Sequence, residues 1–146
     1  MNMKKNFYIA SDHAGFALKT QILKKSAKDY IDLGTNNSVS VDYPEYAAKL
    51  VEKIKFDKNS LGILICGSGI GMAIAANRDE FIRAGLAFNP EIAKQMRKHN
   101  DANILVLPGR FIDVQEALKC VDNFIKTDFE GGRHQSRIDK LSKKNE

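Results

Sequence analysis

The run Leu61-Gly62-Ile63-Leu64-Ile65-Cys66-Gly67-Ser68-Gly69-Ile70-Gly71-Met72 decides the fold. Its first half carries no charge and no polar alternation, the pattern of a strand covered on both faces and not of a sheet with one wet side. Three glycines on alternate positions then let the chain turn sharply, and residues 72–77 continue as a short helical segment. A buried strand, a glycine turn and a helix in direct succession form the repeating unit of a parallel α/β sheet.

Working outward, short apolar runs at residues 7–10, 30–33, 82–88 and 103–107 join 61–66 as five expected strands, with helical periodicity between them. Tyr46, Ala47, Leu50, Val51 and Ile54 fall on one helical face, and Ala117, Leu118, Val121, Phe124 and Ile125 nearly repeat the pattern. Both faces read as core. Right-handed crossovers and helices on both sides follow, with the strands expected in the order 2-1-3-4-5. Ligands of such sheets bind beyond the carboxyl ends of the strands where the winding reverses, here between strands 1 and 3. The loops that meet there are Ser11-Asp12-His13 and the glycine turn after Cys66.

At 146 residues the chain reads as one domain over 1–146, large enough to bury a substantial core. With 43% hydrophobic and 28% charged residues, and no apolar run near membrane-spanning length, no membrane partner is expected. The first residues do not fit a secretory leader, so a cytoplasmic protein is expected, and Cys66 and Cys120 read as thiols rather than a disulfide. The net charge of +5 is concentrated in residues 133–146, where Arg133, Arg137, Lys140, Lys143 and Lys144 face only Asp139 and Glu146. No nucleic-acid-binding pattern accompanies this tail. It reads as a solvated helix or a site for a small phosphate, with no nucleic-acid partner.

The glycine loop lacks the last glycine of a dinucleotide fingerprint, because Met72 stands there, and lacks the Lys-Ser/Thr of a triphosphate loop. Its glycines still allow close backbone approach, and the helix that follows presents free N–H groups and its positive dipole end to negative charge. That charge is either a phosphate or an oxyanion formed during reaction. The same dipole favours a thiolate at Cys66, which makes a proton-abstracting base; equally, Cys66 reads as a small apolar residue ending a strand. Cys120, on a helix face, reads as structural. His13, His99, His134 and Cys66 show no metal-ligand spacing, so no metal is expected. His99 follows a helical stretch at 91–98 and reads either as a terminal cation or as an acid/base.

Five segments taken together resemble the sugar-phosphate isomerase family of ribose-5-phosphate isomerase B, which includes allose-6-phosphate and galactose-6-phosphate isomerases. They are SDHAGFALK at 11–19, DYP at 42–44, GILICGSGIGMAIAAN at 62–77, HNDAN at 99–103 and EGGRHQSR at 130–137, in order over nearly the whole chain. The resemblance implies a three-layer Rossmann-like sandwich whose C-terminal helix reaches toward a partner subunit, in a homodimer with shared active sites that could pair into a tetramer. It implies an aldose-ketose isomerase acting through an enediolate without cofactor or metal, on ribose 5-phosphate or, alternatively, a six-carbon sugar phosphate.

By the same resemblance, Cys66 moves the proton between C1 and C2, and Ser68 handles protons on the sugar oxygens. The backbone of Gly67, Ser68, Gly69, Ile70 and Gly71 holds the enediolate. His99 is linked to ring opening with Asp12 nearby; His13, Arg133 and Arg137, assisted by Arg110, grip the phosphate; Tyr43 and Asn100 contact the sugar. Relatives without the cysteine carry a glutamate where this chain has Met72, so this chain is of the cysteine type. Many relatives have threonine at the position of Ser68, which keeps the hydroxyl.

Overall fold

The computed structural model describes residues 4–142. β1 (Phe7–Ser11), β2 (Ile31–Asp32), β3 (Leu61–Cys66), β4 (Ala84–Leu86) and β5 (Ile104–Pro108) form one parallel sheet. Between and after them run α1 (Phe16–Lys25), α2 (Tyr43–Phe56), α3 (Ile70–Ala76), α4 (Pro90–Asn100), α5 (Val114–Lys126) and α6 (Arg133–Leu141). The expected five-stranded parallel α/β architecture is present.

The strand order is 2-1-3-5-4, not 2-1-3-4-5. The reason lies in the strands themselves. All six residues of β3 and all five of β5 are buried, whereas the three of β4 are half-buried and the two of β2 exposed. A strand apolar on every residue is stable only with a neighbour on each side and helices on both faces. β5 therefore takes the interior place beside β3, and the short β4 moves to the edge. The reading by adjacency in sequence weighted proximity over this difference in apolarity.

Alternate residues of each strand serve opposite layers, as the pleat requires. Ile9, Ile63, Ile65, Leu105 and Leu107 pack with α1, α4 and α5 through Ile22, Ala93, Ala117, Cys120 and Phe124. Ala10, Leu64, Cys66, Ile104 and Val106 pack with α2 and α3 through Ala47, Leu50, Ile54, Met72 and Ala76. Both helix faces expected from periodicity lie in these cores, with Tyr46, Val51, Leu118 and Ile125 at the margins. Cys120 is fully buried; burial, with Glu116 nearby, pushes its thiol up to about 11, as fits a packing role.

The segment after β2 is pinned by Lys19 of α1, itself 1% exposed, whose ammonium donates to Asp32 Oδ1 and the Thr35 carbonyl, each at 2.6 Å. α6 lies against α4 and buries His134 and Ile138, while Arg133 and Arg137 stay exposed. Lys143 and Lys144 of the basic tail lie outside the described residues. Among the described residues no helix is long and apolar enough to cross a membrane.

Candidate active site

β3 delivers Cys66 to the carboxyl edge of the sheet, 5% exposed and on the α2/α3 side. Its register partner is Pro108 at the end of β5. The chain then turns through Gly69, which adopts φ +78°, where a side chain would be strained and would also run into Leu86. This turn starts α3 directly after the thiol. Ser68 Oγ accepts the Ile70 N–H at 3.2 Å, so its own hydroxyl hydrogen is free to point outward. Behind Ile70, the first-turn N–H groups of Gly71 and Met72 have no intrahelical partner by helix geometry. Met72 itself is fully buried.

Three other elements converge on this turn. The loop after β1 holds Asp12, 6% exposed, whose carboxylate accepts the Gly15 N–H at 3.0 Å and so orders the entry to α1. Beside it, His13 Nδ1 accepts the Val41 N–H at 3.1 Å, which ties the imidazole to the segment leading into α2. Tyr43 opens α2 and lays its ring on Gly71: a side chain there would begin 2.6 Å from the ring. After β5, the N–H groups of Gly109 and Arg110 donate to the carbonyls of Cys66 and Gly67 at 2.8 and 2.9 Å. The Arg110 side chain thereby covers Gly67, with a guanidinium nitrogen 3.4 Å from where a Gly67 side chain would begin. Arg110 is present because β5, not β4, neighbours β3.

His99, Asn100, Arg133 and Arg137 are elsewhere. α4 runs antiparallel to the strands, so its last residues His99 and Asn100 lie near the amino end of β5, which starts at Ile104. Four residue steps separate Ile104 from Pro108, beside Cys66; at roughly 3.3 Å per residue this places the two groups on the order of 13 Å apart along the sheet. α6 adds Arg133 and Arg137 to the same lower group, one helical turn apart. A single chain thus holds the expected site residues in two separate groups: Asp12, His13, Tyr43, Cys66, the glycine turn and Arg110 at one edge, and His99, Asn100, Arg133 and Arg137 at the other.

The lower group contains two residues that spacing did not single out as a pair. The His134 ring stacks on His99 with centroids 4.5 Å apart and planes 20° from parallel. Glu130 bridges the two helices: its N–H donates to the Lys98 carbonyl at 3.0 Å, and its carboxylate lies 3.6 Å from the Lys98 ammonium and 3.9 Å from His134 Nε2. Ligand atoms of His99, Glu130 and His134 all fall within 4.8 Å of one another. Burial, with Arg133 and His99 adjacent, holds the His134 imidazole below its usual range. The sequence signal was faint, a Glu and a His four apart across the glycine pair Gly131-Gly132.

Known proteins resemble this chain in both sequence and fold. The Escherichia coli ribose-5-phosphate isomerase B is 38% identical over 141 residues, covering 94% of this chain and 95% of that protein. The solved Thermotoga maritima ribose 5-phosphate isomerase is 48% identical with a TM-score of 0.91, over 96% of this chain and 99% of the other. A Mycoplasma genitalium ribose-5-phosphate isomerase B, solved with bound ribulose-5-phosphate, is 43% identical with a TM-score of 0.90, over 97% and 96% of the two chains. With the ribose/galactose isomerase family model matching residues 7–141, nearly everything between the first strand and the last helix, this chain belongs to that family.

Proposed function

We propose that the chain interconverts D-ribose 5-phosphate and D-ribulose 5-phosphate through an enediolate, in the cytoplasm, as a homodimer whose two half-sites meet across the subunit interface. The observation that carries this reading is the placement of Cys66 at the head of α3, beside Arg110, in a fold shared with a relative that holds ribulose-5-phosphate.

In the open sugar the Cys66 thiolate takes the proton from C2 of the aldose and returns it to C1, so one base serves both carbons of a planar enediolate. The negative charge that forms on oxygen meets the backbone N–H groups of the glycine turn, which need no reorganisation as the charge develops. Ser68 donates its hydroxyl hydrogen to a sugar oxygen while its lone pair stays on the Ile70 N–H. Ring opening needs an acid/base group at the ring oxygen, the role given to the His99 imidazole, with Asp12 across the interface as its polar partner. His13, Arg110, Arg133 and Arg137 hold the phosphate, Arg offering paired N–H donors to it, and Tyr43 and Asn100 border the sugar. The chemistry is proton transfer alone and draws on no cofactor or metal.

Turnover of ribose 5-phosphate and allose 6-phosphate, compared as kcat/KM, tests the substrate: ribose 5-phosphate should be preferred, and a strong preference for the six-carbon sugar would overturn the assignment. Arg137→Ala should raise KM roughly 10- to 100-fold, the scale of losing one charge-assisted contact worth about 1.5–3 kcal/mol, with a smaller change in kcat. An unchanged KM would remove Arg137 from the phosphate site.

A further inference from the structure

Of the His99–Glu130–His134 cluster, the proposed isomerisation uses His99 alone and leaves Glu130 and His134 without a role. We propose that these three residues form a binding site for a divalent transition ion of the Zn2+ type, and that its occupation reversibly inhibits the enzyme by withdrawing His99 from ring opening. The inhibitory half rests on the role given to His99 above; the metal site does not.

Three observations support the site. The donors are two imidazoles and one carboxylate, a set that suits Zn2+ and its neighbours and discriminates against Mg2+ and Ca2+, which prefer oxygen. Their ligand atoms already lie within 4.8 Å, from three different places in the chain: the end of α4, the loop between α5 and α6, and the first turn of α6. Most pointedly, His134 is 6% exposed, and among the described residues its Nε2 has no hydrogen-bond partner although it faces Glu130. A buried polar atom left without a partner is costly, and a metal bond satisfies it.

A tetrahedral ion with bonds near 2.1 Å spaces its ligand atoms by about 3.4 Å, so the cluster must contract by about an ångström. The slack is available in the partly exposed members. Glu130 is 45% exposed and gives up only a 3.6 Å contact with Lys98, and His99 sits in the last turn of its helix. Arg133 and Arg137 oppose a second cation nearby, which sets the expected affinity in the micromolar range rather than that of a structural metal. Three protein ligands leave a fourth position open.

The test titrates Zn2+ into the full-length, chelator-stripped protein against a chromophoric chelator, with wild type, Glu130→Gln, His134→Asn and Cys66→Ala in parallel. Wild type and Cys66→Ala should bind one Zn2+ per chain. Glu130→Gln, a change at an exposed side chain that leaves the fold alone, should weaken binding at least about tenfold, as should His134→Asn. Imidazole NMR signals of His99 and His134 should move on Zn2+ addition while those of His13 stay. Absence of binding, or equal affinity in Glu130→Gln and wild type, overturns the site. Turnover should fall as the site fills and return on adding chelator. Zn2+ held by Glu130 with turnover unchanged would keep the metal site and remove His99 from the reaction, so the two claims fail separately.

Discussion

Cys66→Ala should fold as wild type and lose at least about a thousandfold in kcat, a barrier increase of about 4 kcal/mol at 1.4 kcal/mol per decade. Stability is not the cause, because the change removes a single sulfur at the rim of the α2/α3 core, and a loss that small costs about 1 kcal/mol. The large effect follows from what remains around the position. Met72, the nearest alternative on α3, is buried and cannot accept a proton. Asp12 is held by the Gly15 N–H on its Oδ1, which fixes its carboxylate at the entry to α1. Ser68 carries a hydroxyl, which does not ionise near neutral pH. The glycine turn would still stabilise an enediolate, but no group would form one.

Cys66→Ser separates chemistry from shape. It keeps the approximate size of the side chain and should be almost as inactive as Cys66→Ala, since an alcohol holds no negative charge under the same conditions. Substrate affinity should survive in both variants, because His13 and the arginines are untouched. Turnover within tenfold of wild type in either variant would remove Cys66 as the base and return it to the alternative reading, a small apolar residue closing a strand.

How far the site was legible in the sequence depends on which interactions define each part. The strand, glycine turn and helix around Cys66 are local in the chain, so hydrophobic run length and glycine spacing were enough to place them, and the same holds for the Asp12-His13 loop at the end of the first strand. Arg110 is different. Its position beside Gly67 depends on β5 pairing with β3, a contact between segments about forty residues apart, and the expected order 2-1-3-4-5 would have put it one strand further away. The evidence against that order was in the sequence, in the charge-free run 103–107 against the run 82–88, which Arg83 interrupts, but it lay in a comparison of strands and not in any one of them.

That Glu130 and His134 lie beside His99 was not legible for a related reason. Metal-ligand spacing is a one-dimensional test, and here two helices and a glycine-rich loop bring the donors together. The division of the expected site residues into two groups was legible only as a consequence of helix direction. Any helix that returns from a carboxyl edge ends at the amino edge, so a histidine in the last turn of α4 cannot face a cysteine at the end of β3 in the same chain.

That division leads to the second large effect. An equal mixture of Cys66→Ala and His99→Asn chains, each nearly inactive alone, should recover about a quarter of wild-type activity once subunits exchange. In the proposed two-fold dimer the same surfaces meet reciprocally, so each site would take its upper half from one chain and its lower half from the other. Random pairing makes half of the dimers mixed. In a mixed dimer one site combines both lesions and the other combines none, because the intact Cys66 edge of the His99→Asn chain faces the intact His99 edge of the Cys66→Ala chain. Pairing Cys66→Ala with Arg110→Ala supplies the control. Both lesions lie on the upper half, every site in every dimer contains one of them, and no recovery beyond the average of the parents is expected. Recovery by the first pair alone requires composite sites. If instead each chain held a complete site, neither mixture would regain activity, since every chain would still carry its own defect.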